Sequence, residues 1–283
     1  MSDKDFQDEL LELAQISARA ASLNLRLNVQ RFWSEELAKP RYADPKRLHR
    51  FGAKVFSQNE EDGIIAEVFK RIGEGPRTFI EFGVETGVQC NTVKLLLEGW
   101  RGLWLEGSGT DTAEIRRTLG AYLGNGALTV TEAMVSAENV NDLFAKAGFR
   151  DEIGVLSIDI DFNDYWVWKA VEVVQPRLVV IEYNATLRPP MSLTVPYQLA
   201  KSWDGSNYFG ASLEALVKLG RAKGYRVVGC NFSGTNAFFV RDDLCAGHFV
   251  EPATAEEHYE PPRYYFSSLN AGHPGGIGPY VTV

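Results

Sequence analysis

The chain has 283 residues, 45% of them hydrophobic, enough to bury a full core as one large domain with an appendage. Its formal charge of −8 argues against a polyanion as main partner, so nucleic acid is not expected, and no stretch approaches the roughly 18 apolar residues of a spanning helix. The polar start Met1-Ser2-Asp3-Lys4-Asp5 lacks a signal-peptide core, and Cys90, Cys230 and Cys245 have neither an even count nor metal-ligand spacing, so a cytoplasmic protein with reduced thiols is the expectation.

Residues 5–36 carry Phe6, Leu10, Leu13, Ile16, Ala20, Leu23, Leu25, Val29 and Phe32 at three- and four-residue spacing, which predicts a helix or helix pair. Pro40 and Pro45 punctuate the chain after it, so residues 1–50 read as an N-terminal helical extension. From Phe51 a regular beat sets in. A helix is predicted at 64–72, then strands at 78–83, 102–106, 127–132, 154–160 and 177–183, with helices near 90–98, 111–123, 137–147 and 164–174 between them. Runs such as Gly154-Val155-Leu156-Ser157-Ile158 and Leu178-Val179-Val180-Ile181 are continuously apolar, as strands are when helices cover both faces of a parallel sheet. A helix over 212–223 and the strands 225–230 and 236–241 complete a domain spanning 51–245. Five residues join those last strands, too few for a parallel crossover, so they must pair antiparallel. Residues 246–283 are rich in Pro, Gly and Tyr and read as an irregular tail.

The most informative run is Thr78-Phe79-Ile80-Glu81-Phe82-Gly83-Val84-Glu85-Thr86-Gly87: an apolar strand, an acid near its tip, then a short loop bounded by glycines. Glycine permits a sharp turn and close approach of a ligand to the main chain. Nineteen residues after Gly83 begins the next strand, Gly102-Leu103-Trp104-Leu105, which ends in Glu106. Strand, glycine loop, helix, strand and acid, in that order, is how an open α/β sheet holds a nucleoside at its carboxyl edge. The plain alternative is that the glycines only shape a turn and that Glu81 and Glu106 are solvated loop acids.

The segments Ser57-Gln58-Asn59-Glu60-Glu61-Asp62-Gly63, Phe79-Ile80-Glu81-Phe82-Gly83, Gly99-Trp100-Arg101-Gly102-Leu103-Trp104-Leu105-Glu106 and Leu156-Ser157-Ile158-Asp159-Ile160-Asp161 together resemble the FkbM family of methyltransferases, over roughly residues 51–241. The resemblance implies an α/β, Rossmann-like seven-stranded methyltransferase fold, S-adenosylmethionine as cofactor, and O-methylation of a hydroxyl on a small molecule or sugar. It implies that Glu81 and the backbone at Gly83 and Gly87 face the methionine and ribose, that Asp159 borders the cofactor, and that Glu106 accepts both ribose hydroxyls, since a carboxylate has two acceptor oxygens. The chain departs from the family pattern at Val84-Glu85-Thr86, where small residues are more usual.

A second constellation follows the fourth strand: Asp159-Ile160-Asp161-Phe162-Asn163-Asp164-Tyr165-Trp166, with Glu182-Tyr183-Asn184 at the next tip. Strand alternation places Asp159 and Asp161 on one side of the sheet's ligand-binding end. Three readings stay open. Asp161, Asp164, Glu182 and Asn184 form an all-oxygen Mg²⁺ site; or Asp161, Glu182 or Asp159 is the general base; or Asp159 and Asp164 only cap the helix at Tyr165. Tyr165 and Trp166 are core residues by spacing or a stacking surface for the acceptor. In the loop 189–210, Tyr197, Trp203 and Asp204 are the candidate acceptor contacts, against the alternative of a packed aromatic loop. His248, His258 and His273 follow the core and read as surface residues.

The reading is an S-adenosylmethionine-dependent O-methyltransferase. The alternative is a non-catalytic partner-binding protein on the same scaffold. A homodimer is expected through the stripe Phe6, Leu10, Leu13, Ile16 and Leu23, because a lone amphipathic helix is marginal in water.

Overall fold

Strands whose every residue is apolar have to be covered twice, and the structure covers them twice. The computed structural model describes residues 3–199, 201–264 and 272–283; residues 265–271 of the expected tail, and the first two residues of the chain, lie outside them. The chain divides into two compact units, Met1–Pro45 and Lys46–Val283. The first holds a single unbroken helix, α1 (Asp3–Leu37), and a 3₁₀ turn at Pro40–Tyr42. No helix among the described residues is long and apolar enough to cross a membrane.

The second unit runs α2 (Glu61–Ile72), β1 (Thr78–Phe82), α3 (Val93–Leu97), β2 (Arg101–Glu106), α4 (Gly109–Thr118), α5 (Gly120–Gly124), β3 (Leu128–Glu132), α6 (Val140–Lys146), β4 (Asp151–Ile158), α7 (Asp164–Ala170) and β5 (Val174–Glu182). Then come β6 (Leu193–Thr194), α8 (Leu213–Ala222), β7 (Tyr225–Cys230), β8 (Asn236–Arg241), α9 (Ala255–His258) and β9 (Val281–Thr282). Seven strands form one sheet in the order β3-β2-β1-β4-β5-β8-β7. Its five leading strands are parallel, and β8 runs antiparallel to both β5 and β7. The hairpin expected from its five-residue connection is therefore present. The result is a Rossmann-like seven-stranded methyltransferase fold.

Alternation along each strand assigns its side chains to one of two cores. Ile80, Phe82, Leu103, Leu105, Leu156, Ile158, Val179 and Ile181 pack on the face covered by α6, α7 and α8. Phe79, Trp104, Val155, Leu178 and Val180 pack on the other face with Ile64, Val68, Leu96 and Ile115 from α2, α3 and α4. That is the physical content of a doubly wound sheet.

Two boundaries differ from the sequence expectation in ways that matter. β4 ends at Ile158, so Asp159 and Asp161 stand in the loop beyond the strand, and Asp161 takes φ +63°. β5 begins at Val174 and runs through Pro176; pairing with β8 starts only at Leu178, so the missing proline N–H leaves no gap in that ladder. His258 is another correction, being buried in α9 rather than on the surface. The segment around it folds back on the sheet, with the Tyr183 hydroxyl donating to the Glu260 carbonyl. At the far end β9 pairs with β6.

The segment Ser57–Gly63 clamps the β7–β8 turn. One oxygen of Asp62 accepts from the amides of Val55, Phe56 and Ser57 at 2.7–2.8 Å. Glu61 accepts from the side-chain amides of Asn231 and Asn236, at 2.6 and 2.9 Å. Buried Glu60 accepts from the amides of Phe232 and Ser233. Burial, and then the adjacent Glu61 charge, push the Glu60 carboxyl up to about 8. An acid raised in the folded state holds a proton that the unfolded chain has released, so its stabilisation is complete below the unfolded pKa and is lost as pH rises through about 8. Glu60→Gln keeps an acceptor oxygen and removes the titration. Melting curves from pH 5 to 9 should show the variant gaining on wild type as pH rises, by at least about 2–4 °C at the top of the range; parallel curves would refute the assignment.

Candidate active site

The carboxyl ends of β1, β2, β3 and β4 open onto one cavity of about 990 Å³. Its floor is the turn after β1. Gly83 has φ +77°, and a Cβ there would stand 1.5 Å from the Asp159 carbonyl oxygen, so the ends of β1 and β4 can approach only because this residue has no side chain. Gly87, at φ +78°, lies against the Trp104 ring, which a Cβ would meet at 2.7 Å.

Glu106, at the tip of β2, holds that loop in shape. Its two oxygens accept from the amides of Glu85 and Ser108, each at 2.8 Å. Glu85 itself sits at φ +48°, a conformation that the Glu106 bond helps to fix. Each oxygen keeps an acceptor site after these bonds, so the carboxylate can still receive two hydroxyls from the cavity. Glu81 is more fully spent. It is buried and accepts from the amides of Asn91 and Thr92, the Thr92 hydroxyl and the Ser157 hydroxyl, tying the start of α3 to β1 and β4. Burial raises its pKa against the pull of those bonds. Glu81 thus borders the cavity chiefly as the anchor of its wall.

The second half of the site is the acid cluster. Asp159, Asp161 and Glu182 each offer a carboxylate oxygen, all within 4.8 Å of one another. Asp159 and Glu182 are raised well above ordinary carboxylates, first by burial and then by the charges of neighbouring acids. Asp161 is raised too, by desolvation and by Glu85. Among the described residues, Glu182 Oε2 is buried without a hydrogen-bond partner, as is Oδ1 of Asn236, its register partner on β8. Hard oxygen donors converging with unsatisfied acceptors fit a small divalent cation.

The expected ligand set and the carboxylates that the structure brings together overlap without coinciding. Asp164 lies outside that group: its Oδ1 accepts from the Ile160 amide at 2.8 Å and closes the turn ahead of α7, while its Oδ2 is buried without a hydrogen-bond partner among the described residues. Burial raises it to about 7. Asn184 also stands outside: its amide donates to the Asn207 and Phe209 carbonyls and its oxygen accepts from Thr186, which fixes the following loop. Asp159 takes the place beside Asp161 and Glu182, in the loop after β4 where Asp161 itself has φ +63°.

Of the aromatic candidates, Trp203 lines the cavity, its Nε1 donating to the Ser206 carbonyl and its ring against His273. Tyr165 is buried in the core under the sheet. The Tyr197 hydroxyl donates to Glu138, and Asp204 accepts from the Ser206 amide; neither is part of the cavity lining. Residues the sequence reading passed over complete the wall: Gln58, Asn91, Asn139, Lys201 and Asn236. Asn236 had a usable signal, since an antiparallel hairpin starting there puts it level with the end of β5.

No family model matches the chain, and neither does any curated protein. Solved structures do. The N-terminal domain of EvdMO1, solved with S-adenosylhomocysteine bound, superposes with a TM-score of 0.42 at 13% identity, covering 76% of this chain and 94% of that one. The methyltransferase domain of bacterial CtHen1-C gives 0.42 at 12% identity, over 65% of this chain and 97% of that one. An O-methyltransferase from Bacillus cereus, also solved with S-adenosylhomocysteine, gives 0.33 at 14% identity, over 57% and 67%. The fold assignment stands on the sheet order itself.

Gly83 offers a direct check on the geometry. Gly83→Ala should destabilise the domain by at least about 2 kcal/mol, through positive φ and overlap with the Asp159 carbonyl. A melting temperature within 1–2 °C of wild type, about what half a kcal/mol would do, would contradict the close approach.

Proposed function

We propose that the protein is an S-adenosylmethionine-dependent methyltransferase of the FkbM type, transferring a methyl group to a hydroxyl of a small molecule or sugar. The observation that carries this reading is the single cavity in which the glycine loop and Glu106 face the carboxylates of Asp159 and Asp161. Glu106 accepts the two ribose hydroxyls, and the loop from Gly83 to Gly87 presents its backbone to the rest of the nucleoside. The cofactor supplies an electrophilic methyl on a sulfonium centre.

Asp161 is exposed toward the cavity and takes the acceptor's hydroxyl proton. Three carboxylates this close cannot all ionise, and a raised proton affinity brings a carboxylate nearer to the working range of a general base. The C–O bond forms as the C–S bond breaks, the proton stays on the carboxylate, and no covalent enzyme intermediate is needed. Lys201 and Trp203 position the acceptor from the rim. In the alternative to a free carboxylate base, Asp159, Asp161 and Glu182 would hold Mg²⁺, which would relieve their repulsion and lower the pKa of a bound hydroxyl.

Glu106→Ala should weaken S-adenosylmethionine binding by on the order of 1–3 kcal/mol in isothermal titration; unchanged affinity in a folded variant would defeat the cofactor assignment. Against a panel of free and glycosidic sugars, Asp161→Asn should lower methyl transfer at least about tenfold while leaving cofactor affinity intact. The cation has its own readout. Mg²⁺ at millimolar concentration should raise the melting temperature of wild type at pH 8, and Glu182→Gln should blunt that rise. A wild-type melting temperature indifferent to Mg²⁺ and to EDTA would leave the carboxylates as base alone.

A further inference from the structure

α1 presents apolar side chains to solvent along its length: Leu13, Ile16, Leu23 and Leu27 are 54–58% exposed. With Ala20 they fall at spacings of three and four, residues 13, 16, 20, 23 and 27, the seam spacing of a two-stranded coiled coil, while Leu10, Leu11 and Leu25 are exposed off that seam. The Phe6 side chain is outside the described ones and plays no part. We propose that this seam is covered by α1 of a second copy, running antiparallel.

Charge decides the direction. Flanking the seam on one side are Glu12, Arg19 and Arg26, at intervals of seven; on the other, Ser17, Asn24 and Arg31. Among the described residues neither Glu12 nor Arg26 has an ion-pair partner within the chain, whereas Arg31 is already paired to Glu35 at 2.7 Å. A parallel pair sets Arg26 beside Arg31 of the other helix, twice, like against like. An antiparallel pair with Leu13 against Leu23 and Ile16 against Ala20 sets Glu12 opposite Arg26 twice, and brings Leu27 to Glu9 at each end of the seam. Its one like-charged contact is Arg19 against its own symmetry mate at the two-fold axis. Small Ala20 in the central layers lets the helices close. The two-fold symmetry makes the contact self-complementary, so it ends at a dimer. An anionic membrane surface is the poorer occupant: α1 carries seven acids against four bases, while helices that lie on membranes are rich in Lys and Arg.

The full-length protein should sediment as a dimer at 100 µM and dissociate on dilution. Glu12→Arg alone and Arg26→Glu alone should each weaken the dimer about tenfold, and the double variant, with the charges exchanged, should recover it. Arg19→Cys should cross-link to itself under mild oxidation, since Cys90, Cys230 and Cys245 are buried and residue 19 meets its own mate only in the antiparallel arrangement. Far-ultraviolet circular dichroism and the melting temperature confirm that each variant is folded. A monomer at 100 µM overturns the proposal, as does a monomer that floats with phosphatidylglycerol vesicles. A dimer in which the double exchange fails to recover, or in which Arg19→Cys stays uncross-linked, overturns the antiparallel pairing.

Discussion

Where β1 ends, the Asp159 carbonyl occupies the space in which any side chain at position 83 would begin. That contact sets how close the first and fourth strands come at their carboxyl ends. Because they come this close, the glycine loop, Glu106 and the acids after β4 share one cavity instead of lining two separate clefts. Trp104 repeats the constraint one turn on, filling the space beside Gly87. At both glycines the backbone takes a positive φ and another group already stands where a side chain would be.

A parallel sheet sends every strand tip to the same edge, and here the tips carry carboxyl groups: Glu106 on β2, Asp159 and Asp161 after β4, Glu182 on β5. Crowding them costs free energy, and the chain meets that cost in different ways. Glu81 surrounds itself with four donors. Glu106 takes two backbone amides and stays half in solvent. Asp159, Asp161 and Glu182 have no such supply among the described residues, and burial and then the neighbouring acids raise their proton affinities. The groups left uncompensated by the fold are the ones that can gain most from a proton, a cation or a substrate hydroxyl, which is why chemistry is assigned to them and scaffolding to Glu81.

Hydrogen bonding from a distance keeps that edge in place. Glu60, Glu61 and Asp62 lie at the start of the domain in sequence, yet they hold the β7–β8 turn and so the position of Asn236 beside Glu182. Asn184 and Asp164 work in the same way on the loops after β5 and β4. Residues 274–283 brace the loop 189–210, through the Asn207 amide donating to the Pro274 carbonyl, the Tyr208 hydroxyl donating to the Pro279 carbonyl, and the β6–β9 pair.

The local pattern of the sequence determined the strands, their order of types and the antiparallel hairpin. Period-two and continuous apolar runs answer to the two-sided burial of a sheet, and a five-residue link leaves no other pairing. It also singled out the turn bounded by Gly83 and Gly87 and the acid Glu106, with a plain turn as the alternative, and Gly83 and Glu106 line the cavity. What it left open was which polar side chains would be consumed by the fold. Asp164 and Asn184 look like ligands in a linear reading, but their partners, Ile160, Asn207 and Phe209, are chosen by how the loops close. Asp159 and Asp161 stand together in the loop after β4, and Glu182 meets them from β5. Such convergences depend on distances across the sheet, which only the tertiary structure sets.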